Sequence, residues 1–276
     1  MRFGFVLPNN WGLADARAVA DLAIEAEALG LDSVWVNHHL VNIGYVADRL
    51  GDRPYQDALT MLTWAAARTE RVKLGTSVLV LPYLHPVSLA KALATLDDLS
   101  GGRVIAGLGV GSLPEENAVL GVDYDGRGGF ADESIRVMQA LWAPGDADFA
   151  GEHFSFTGVT TSPKPRQAPL PVWVGGTRAP ARRRAARLGQ GWHPMCTAGG
   201  LARRMPQLLE VLDGEGRARE DLVVAPRIDI GQVPDAAAVG AFASAGADEL
   251  VVSTSSLDLA EIRAGLGHLA RLAATS

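Results

Sequence analysis

With 276 residues, 48% of them hydrophobic and 20% charged, the chain has the composition of a globular protein and not of a disordered one. Its formal net charge of −6 argues against a nucleic-acid footprint, which needs a basic face, and the cluster Arg182, Arg183, Arg184 and Arg187 reads as a solvated helix surface. The lone Cys196 rules out an internal disulfide, no Cys/His spacing suggests zinc, and no apolar run approaches the roughly eighteen residues of a membrane span; a soluble, untargeted cytoplasmic protein is expected.

Short apolar runs alternate with helical patterns from the start. Residues 2–7 read as a strand, 14–29 as a helix ended by Gly30, 33–36 as a second strand and 57–68 as a second helix. The third strand is KLGTSVLVLPYLHP, in which six of the eight residues at 76–83 are β-branched, aliphatic or aromatic, and a helix follows over 86–99. Strands at 103–110, 172–175, 191–193, 222–230 and 248–253 then alternate with helices at 131–141, 179–188, 201–213, 235–243 and 257–272. Eight βα units in a chain of this length predict a parallel sheet closed into a (β/α)8 TIM barrel, with no linker dividing residues 1–276 into domains. The loops 38–55, 112–130 and 144–170 are longer than a connection requires. The first two follow strand C-termini, the face on which barrels carry their sites; the third, with GEHFSF and TTSPKPRQAPLP, reads as a hairpin and a proline-rich crossing.

Candidate chemistry gathers at strand ends. Gly107, Gly109 and Gly111 in GLGVGS lack dinucleotide-fingerprint spacing, and suit either close approach of a flat ligand or a crowded rim. Gly175, Gly176 and Thr177 end a strand and open a helix, so their N–H groups and the helix dipole form an anion cradle suited to phosphate. His38 and His39 end strand two, where a histidine can move a proton, and strand alternation lets at most one face a pocket. His85 opens the third helix with Pro86, and Cys196 reads as a packing residue.

Taken in order, VLPNN, VWVNHHL, LGTSVLVLPYLHPV, GLGVGS, SPKPRQAPLPVWVGGT and RAARLGQGWHP resemble the bacterial luciferase-like flavin and deazaflavin oxidoreductases over nearly the whole chain. The resemblance implies a luciferase-like barrel that holds coenzyme F420 or FMN at its C-terminal face. It also implies a non-prolyl cis peptide at Ser77–Val78 behind the ring. Gly107, Gly109 and Gly111 would flank the ring and ribityl chain, Gly175, Gly176 and Thr177 would hold the phosphate, and Gly191 and Trp192 would close the other side. His38 or His39 would transfer the proton, and a homodimer is the family's habit. Ser112 and Asn117 depart from the family's aromatic residues, which leaves the substrate pocket open. The expected activity is F420-dependent hydride transfer to or from a small organic substrate. The alternatives are an FMN-dependent monooxygenase with a separate reductase, a flavin-binding protein without turnover and, last, a phosphate-sugar isomerase or aldolase, for which the strand ends lack lysine or glutamate.

Overall fold

The computed structural model describes residues 1–275. Strands β1 (Arg2–Val6), β2 (Ser33–Val36), β3 (Lys73–Thr76), β4 (Leu79–Val80) and β5 (Val104–Gly109) precede an antiparallel hairpin, β6 (Ala147–Ala150) and β7 (Ser155–Val159). They are followed by β8 (Val172–Gly175), β9 (Gly191–His193), β10 (Val223–Val224), β11 (Arg227–Asp229) and β12 (Glu249–Ser253). Apart from the hairpin, the strands form one curled parallel sheet of ten, in the order β10-β9-β8-β5-β3-β2-β1-β12-β11, with β4 alongside β5.

The helices that cover the sheet are built by apolar spacing and side-chain caps. α1 (Ala16–Ala28) starts where the Asp15 carboxylate accepts the Ala18 N–H, and buries Val19, Leu22, Ala23 and Ala26 on one face. α3 (Ala58–Arg68) starts in the same way at Asp57. α4 (Pro86–Ser100) is capped by His85, whose Nδ1 accepts the Val87 N–H at 3.3 Å, so this histidine works in helix initiation. α6 (Arg127–Trp142), α7 (Ala179–Leu188), α9 (Met205–Gly214), α10 (Ala236–Ser244) and α11 (Leu259–Ala273) complete the layer. Burying each large aliphatic side chain between helix and sheet contributes roughly 1.5–3 kcal/mol, and Leu22, Leu62, Leu74 and Leu93 are fully buried in this way. Among the described residues no helix is long and apolar enough to cross a membrane.

Four sequence expectations are revised. The third strand is not continuous: β3 pairs with β2 and β5, the Ser77–Val78 peptide is cis, and pairing resumes only as the two-residue β4 before a 3-10 turn at Leu81–Tyr83. Burial alone cannot tell such a break from a continuous strand, because the residues on both sides stay buried. The loops 38–55 and 112–130 contain short helices, α2 (Tyr45–Leu50) and α5 (Pro114–Val119), and α6 begins at Arg127, earlier than its apolar pattern. The predicted helix 201–213 is split into α8 (Ala198–Ala202) and α9, whose second residue is Pro206. Strand 222–230 is likewise interrupted at Ala225–Pro226, where proline removes a ladder donor.

Inside the curled sheet, Trp35 and Trp173 pack with ring centroids 5.0 Å apart, and the His193 imidazole stacks on Trp35 at 5.1 Å. Glycines make the room: a methyl group at Gly75 would meet Trp35 at 2.1 Å, and one at Gly191 would meet Trp173 at 2.4 Å.

Candidate functional site

A cavity of about 540 Å³ opens at the C-terminal ends of the strands, within the size range of small-ligand sites. A second depression of about 590 Å³ lies at the opposite end, between Arg2, Glu27, Lys73 and Glu249. Its charges are engaged: Arg2 with Glu249, Glu27 with the Glu70, Arg71 and Val72 N–H groups, and Lys73 with the Gly102 carbonyl.

One part of the lining of the first cavity is nearly without polar side chains. It is formed by Val78, Val80, Gly109, Val110, Gly111 and Gly175, with Gly176 and Thr177 at its end. A methyl on Gly109 would meet the Val78 side chain at 2.5 Å, and one on Gly175 would meet it at 2.8 Å, so the glycines let the Val78 bulge press close to both strands. Gly176 has φ +111°, a conformation only glycine adopts freely, and its carbonyl accepts the Trp192 indole N–H at 2.8 Å. No side chain caps α7, whose N-cap is Arg178; Pro180 has no N–H and the Ala181 N–H donates to the Arg178 carbonyl at 3.1 Å, so in the first turn the Ala179 N–H is the one without a backbone partner, beside Gly176 and Thr177.

The other part of the lining is polar. Asn9 clamps the chain after β2: its Oδ1 accepts the Asn37 backbone N–H at 2.9 Å and its Nδ2 donates to the Asn37 carbonyl at 2.9 Å. The chain therefore leaves strand geometry after Val36, and both His38 and His39 line the cavity, against the expectation that at most one would. His38 accepts the Val80 N–H on Nδ1 at 3.1 Å, which leaves any proton on Nε2, and burial pulls its pKa down to about 4, keeping the ring neutral. His39 sits in a different environment. Its Nδ1 is 2.5 Å from Glu116 Oε2, its Nε2 is 2.9 Å from the Tyr45 hydroxyl, and Tyr55 meets it edge-on.

Glu116 is fully buried, yet ionised. Burial alone would raise its pKa, but the His39 hydrogen bond and the Leu40 and Val41 N–H groups hold it below the usual carboxylate range. An ionised carboxylate only accepts, so the His39 proton is on Nδ1 and its Nε2 lone pair faces the Tyr45 hydroxyl. Tyr83 and Asn117 complete the backing: Asn117 Nδ2 donates to the Tyr83 hydroxyl at 3.1 Å, and burial followed by the Glu116 charge raises the Tyr83 pKa.

On the floor, the Arg227 guanidinium donates to Asn37 Oδ1 and, at 3.0 Å, to the Ser77 carbonyl. Ser77 Oγ lies 2.8 Å from His193 Nε2, and His193 Nδ1 lies 2.6 Å from the Ala225 carbonyl, so His193 donates from Nδ1 and accepts from the serine. Burial lowers the Arg227 pKa to about 10. Among the described residues neither Arg227 nor Arg49 makes an ion pair. Arg49 Nε is buried without a hydrogen-bond partner, and its guanidinium lies 4.8 Å from the Trp11 ring centre.

Of the residues singled out in the sequence, His38, His39, Ser77, Val78, Gly109, Gly111, Gly175, Gly176 and Thr177 meet at this cavity. Gly107, Gly191 and Trp192 are not among its lining residues. A methyl at Gly107 would meet the Thr76 carbonyl oxygen at 1.7 Å, so this glycine admits the bulged strand from behind. Gly191 makes room for Trp173, and Trp192 points into the helical layer and supports Gly176 from outside. Sequence reasoning missed Glu116, Tyr45, Tyr55, Arg49, Arg227 and His193. The available signal was charge or aromaticity in unusual places, such as an arginine inside the apolar run VVAPRIDI.

The family model for luciferase-like monooxygenases matches residues 1–249. The chain belongs to that family. Curated relatives of this luciferase-like protein include F420-dependent glucose-6-phosphate dehydrogenases from Kineococcus radiotolerans (38% identical over 209 residues, 72% of this chain) and Beutenbergia cavernae (38% over 205 residues, 72%). The chain spans 59% and 58% of the length of those two relatives. Its fold matches an F420-dependent secondary alcohol dehydrogenase solved with an F420-acetone adduct, with a TM-score of 0.83 at 19% identity over 98% of this chain and 97% of that one. It also matches the coenzyme F420-dependent tetrahydromethanopterin reductase of Methanopyrus kandleri, with a TM-score of 0.77 at 15% identity over 98% and 97%.

Proposed function

We propose that this luciferase-like protein is an F420-dependent oxidoreductase that moves a hydride between the deazaflavin and a small organic substrate carrying a hydroxyl and an anionic group. The observation that carries the reading is His39, which lines a cavity rich in glycine, is held by buried Glu116 at Nδ1 and keeps its Nε2 lone pair on the Tyr45 hydroxyl. The curated relatives are F420-dependent dehydrogenases, which supports the same cofactor.

The residues present fit that group. Val78 with Gly109, Gly111 and Gly175 offers an apolar, glycine-lined backing for a tricyclic ring, and the Gly176, Thr177 and Ala179 N–H groups offer donors to a phosphate. When bound, the deazaflavin supplies the carbon that accepts or returns the hydride. In the oxidation direction His39 Nε2 takes the hydroxyl proton, the position it now shares with the Tyr45 hydroxyl, and Glu116 stabilises the imidazolium that forms. His38 stays neutral and presents an N–H donor. Arg227 and Arg49, lacking carboxylate partners, hold the anionic group of the substrate.

The same reading takes the curled sheet as a (β/α)8 barrel and the chain as a single domain. In support, the segment 223–229 is hydrogen-bonded on both sides: the Ala225 N–H donates to Trp192 at 2.9 Å and the Arg227 N–H to Pro194 at 2.8 Å, while the Val251 N–H donates to Pro226 at 3.0 Å.

Titration with F420 and with FMN, followed by ligand fluorescence, tests the cofactor. Tight F420 binding with weak FMN binding is expected; preference for FMN would transfer the site to monooxygenase chemistry, and binding of neither would sink the reading. Arg227→Met tests the substrate class. Loss of one charged hydrogen-bonding contact of about 2–3 kcal/mol raises KM for an anionic substrate such as glucose 6-phosphate roughly 30- to 150-fold. F420 affinity and melting temperature serve as controls, and an unchanged KM in the folded variant would remove Arg227 from the substrate site.

A further inference from the structure

No aspartate or glutamate stands between Glu152 and Glu210, although the chain as a whole carries a net charge of −6. The arginines of that interval divide into two groups. Arg166, Arg184 and Arg187 have counter-ions from elsewhere, Asp98, Asp132 and Glu215. Arg178, Arg182, Arg183, Arg203 and Arg204 have none among the described residues.

This unpaired group is continuous with the anion cradle. Arg182 is buried to 7% exposure, and its guanidinium donates to the Thr177 carbonyl at 2.8 Å and to Gln207 Oε1 at 2.5 Å, neither of which neutralises it. Burial and then repulsion from Arg204 and Arg183 pull its pKa below the ordinary value. Arg204 Nη1 donates to the Gly200 carbonyl at 2.7 Å, and methyl groups at Gly199 and Gly200 would lie 3.6 and 3.2 Å from the Arg203 and Arg204 guanidinium nitrogens. Both arginines therefore fold back over the start of α8, beside the segment 195–197, whose Met195 lines the cavity. A positive band runs from Gly176 and Thr177 through Arg182 to Arg204, with Arg178, Arg183 and Arg203 exposed along it.

Like charges gathered without counter-ions are repulsive unless an anion joins them. The deazaflavin cofactor carries such an anion at the required place, because its oligoglutamate tail is attached through the phosphate. A tail leaving the cradle at Gly176 and Thr177 meets the arginine band directly. We propose that Arg182, Arg203 and Arg204, with Arg178 and Arg183 at the outer edge, bind the glutamate tail of F420; this rests on the deazaflavin reading above. FMN has no tail and would leave the band unused.

The test compares binding of F420 bearing its glutamates with binding of the same deazaflavin phosphate stripped of them, by fluorescence titration of the intact protein at low and high salt. Two or three ion pairs from Arg203, Arg204, Arg178 or Arg183 multiply to roughly tenfold tighter binding of the tailed form, and the gap narrows as salt screens them. Arg203→Gln with Arg204→Gln should close the gap while affinity for the stripped form is retained; Arg203 is exposed and Arg204 half-buried, and a melting curve checks that the variant folds. Equal affinity for the two forms, or a double variant that weakens both equally, would overturn the tail assignment and leave the cofactor reading intact. Failure of both forms to bind would overturn the tail assignment and the cofactor reading together.

Discussion

If the chain carries out the alcohol oxidation proposed above, Glu116→Gln is expected to lower its kcat by roughly 10²- to 10⁴-fold, the usual contribution of a positioned general base. The substitution changes no volume, and its effect lies in the proton inventory. The carboxylate accepts from His39 Nδ1 on one oxygen and from the Leu40 and Val41 N–H groups on the other. Glutamine has one acceptor and one donor end. If its oxygen keeps the two backbone N–H groups, its NH2 faces His39, and Nδ1 must become the acceptor. The proton then moves to Nε2, the atom that has to receive the substrate proton. The measurement is steady-state kinetics beside F420 titration and thermal melting. A large fall in kcat with cofactor affinity retained supports the assignment, whereas kcat within about threefold of the parent would remove the pair from the chemistry.

Gly176→Asp is expected to weaken F420 binding by at least roughly a hundredfold, about 2.7 kcal/mol. Three effects add. The residue has φ +111°, which a side chain disfavours. A Cβ there would lie 3.0 Å from Ala181 Cβ, and a carboxylate would repel the phosphate in the proposed anion cradle. Gly176→Ala separates the causes, because it carries the backbone and steric cost without the charge. A folded aspartate variant with parental F420 affinity would place the phosphate elsewhere, and an alanine variant as weak as the aspartate would make the effect one of backbone shape alone.

The alternation of strands and helices was legible because apolar periodicity and Gly or Asp punctuation are local properties, and the chain obeys them at Asp15, Asp57 and Gly101. The glycine wall was legible for a related reason: glycines at strand ends signal close approach without identifying what approaches. Resemblance, not periodicity, pointed to the cis peptide at Ser77–Val78. The Glu116–His39 pair was not legible, since the partners are 77 residues apart and Glu116 sits in a short helix within a loop that gave no helical signal. The same holds for Arg227, which reaches Asn37 across 190 residues of sequence. The expectation about the two histidines failed because it assumed that β2 continued, whereas the Asn9 clamp ends it at Val36. Gly191 and Trp192 were placed by resemblance, and the side-chain directions of β9 send Trp192 outward while His193 faces inward.

The stack of Trp35, Trp173 and His193 divides the interior of the sheet. Trp173 borders the depression at one end and His193 borders the cavity at the other, so the rings stand as a partition between two openings and not as the lining of a through-channel.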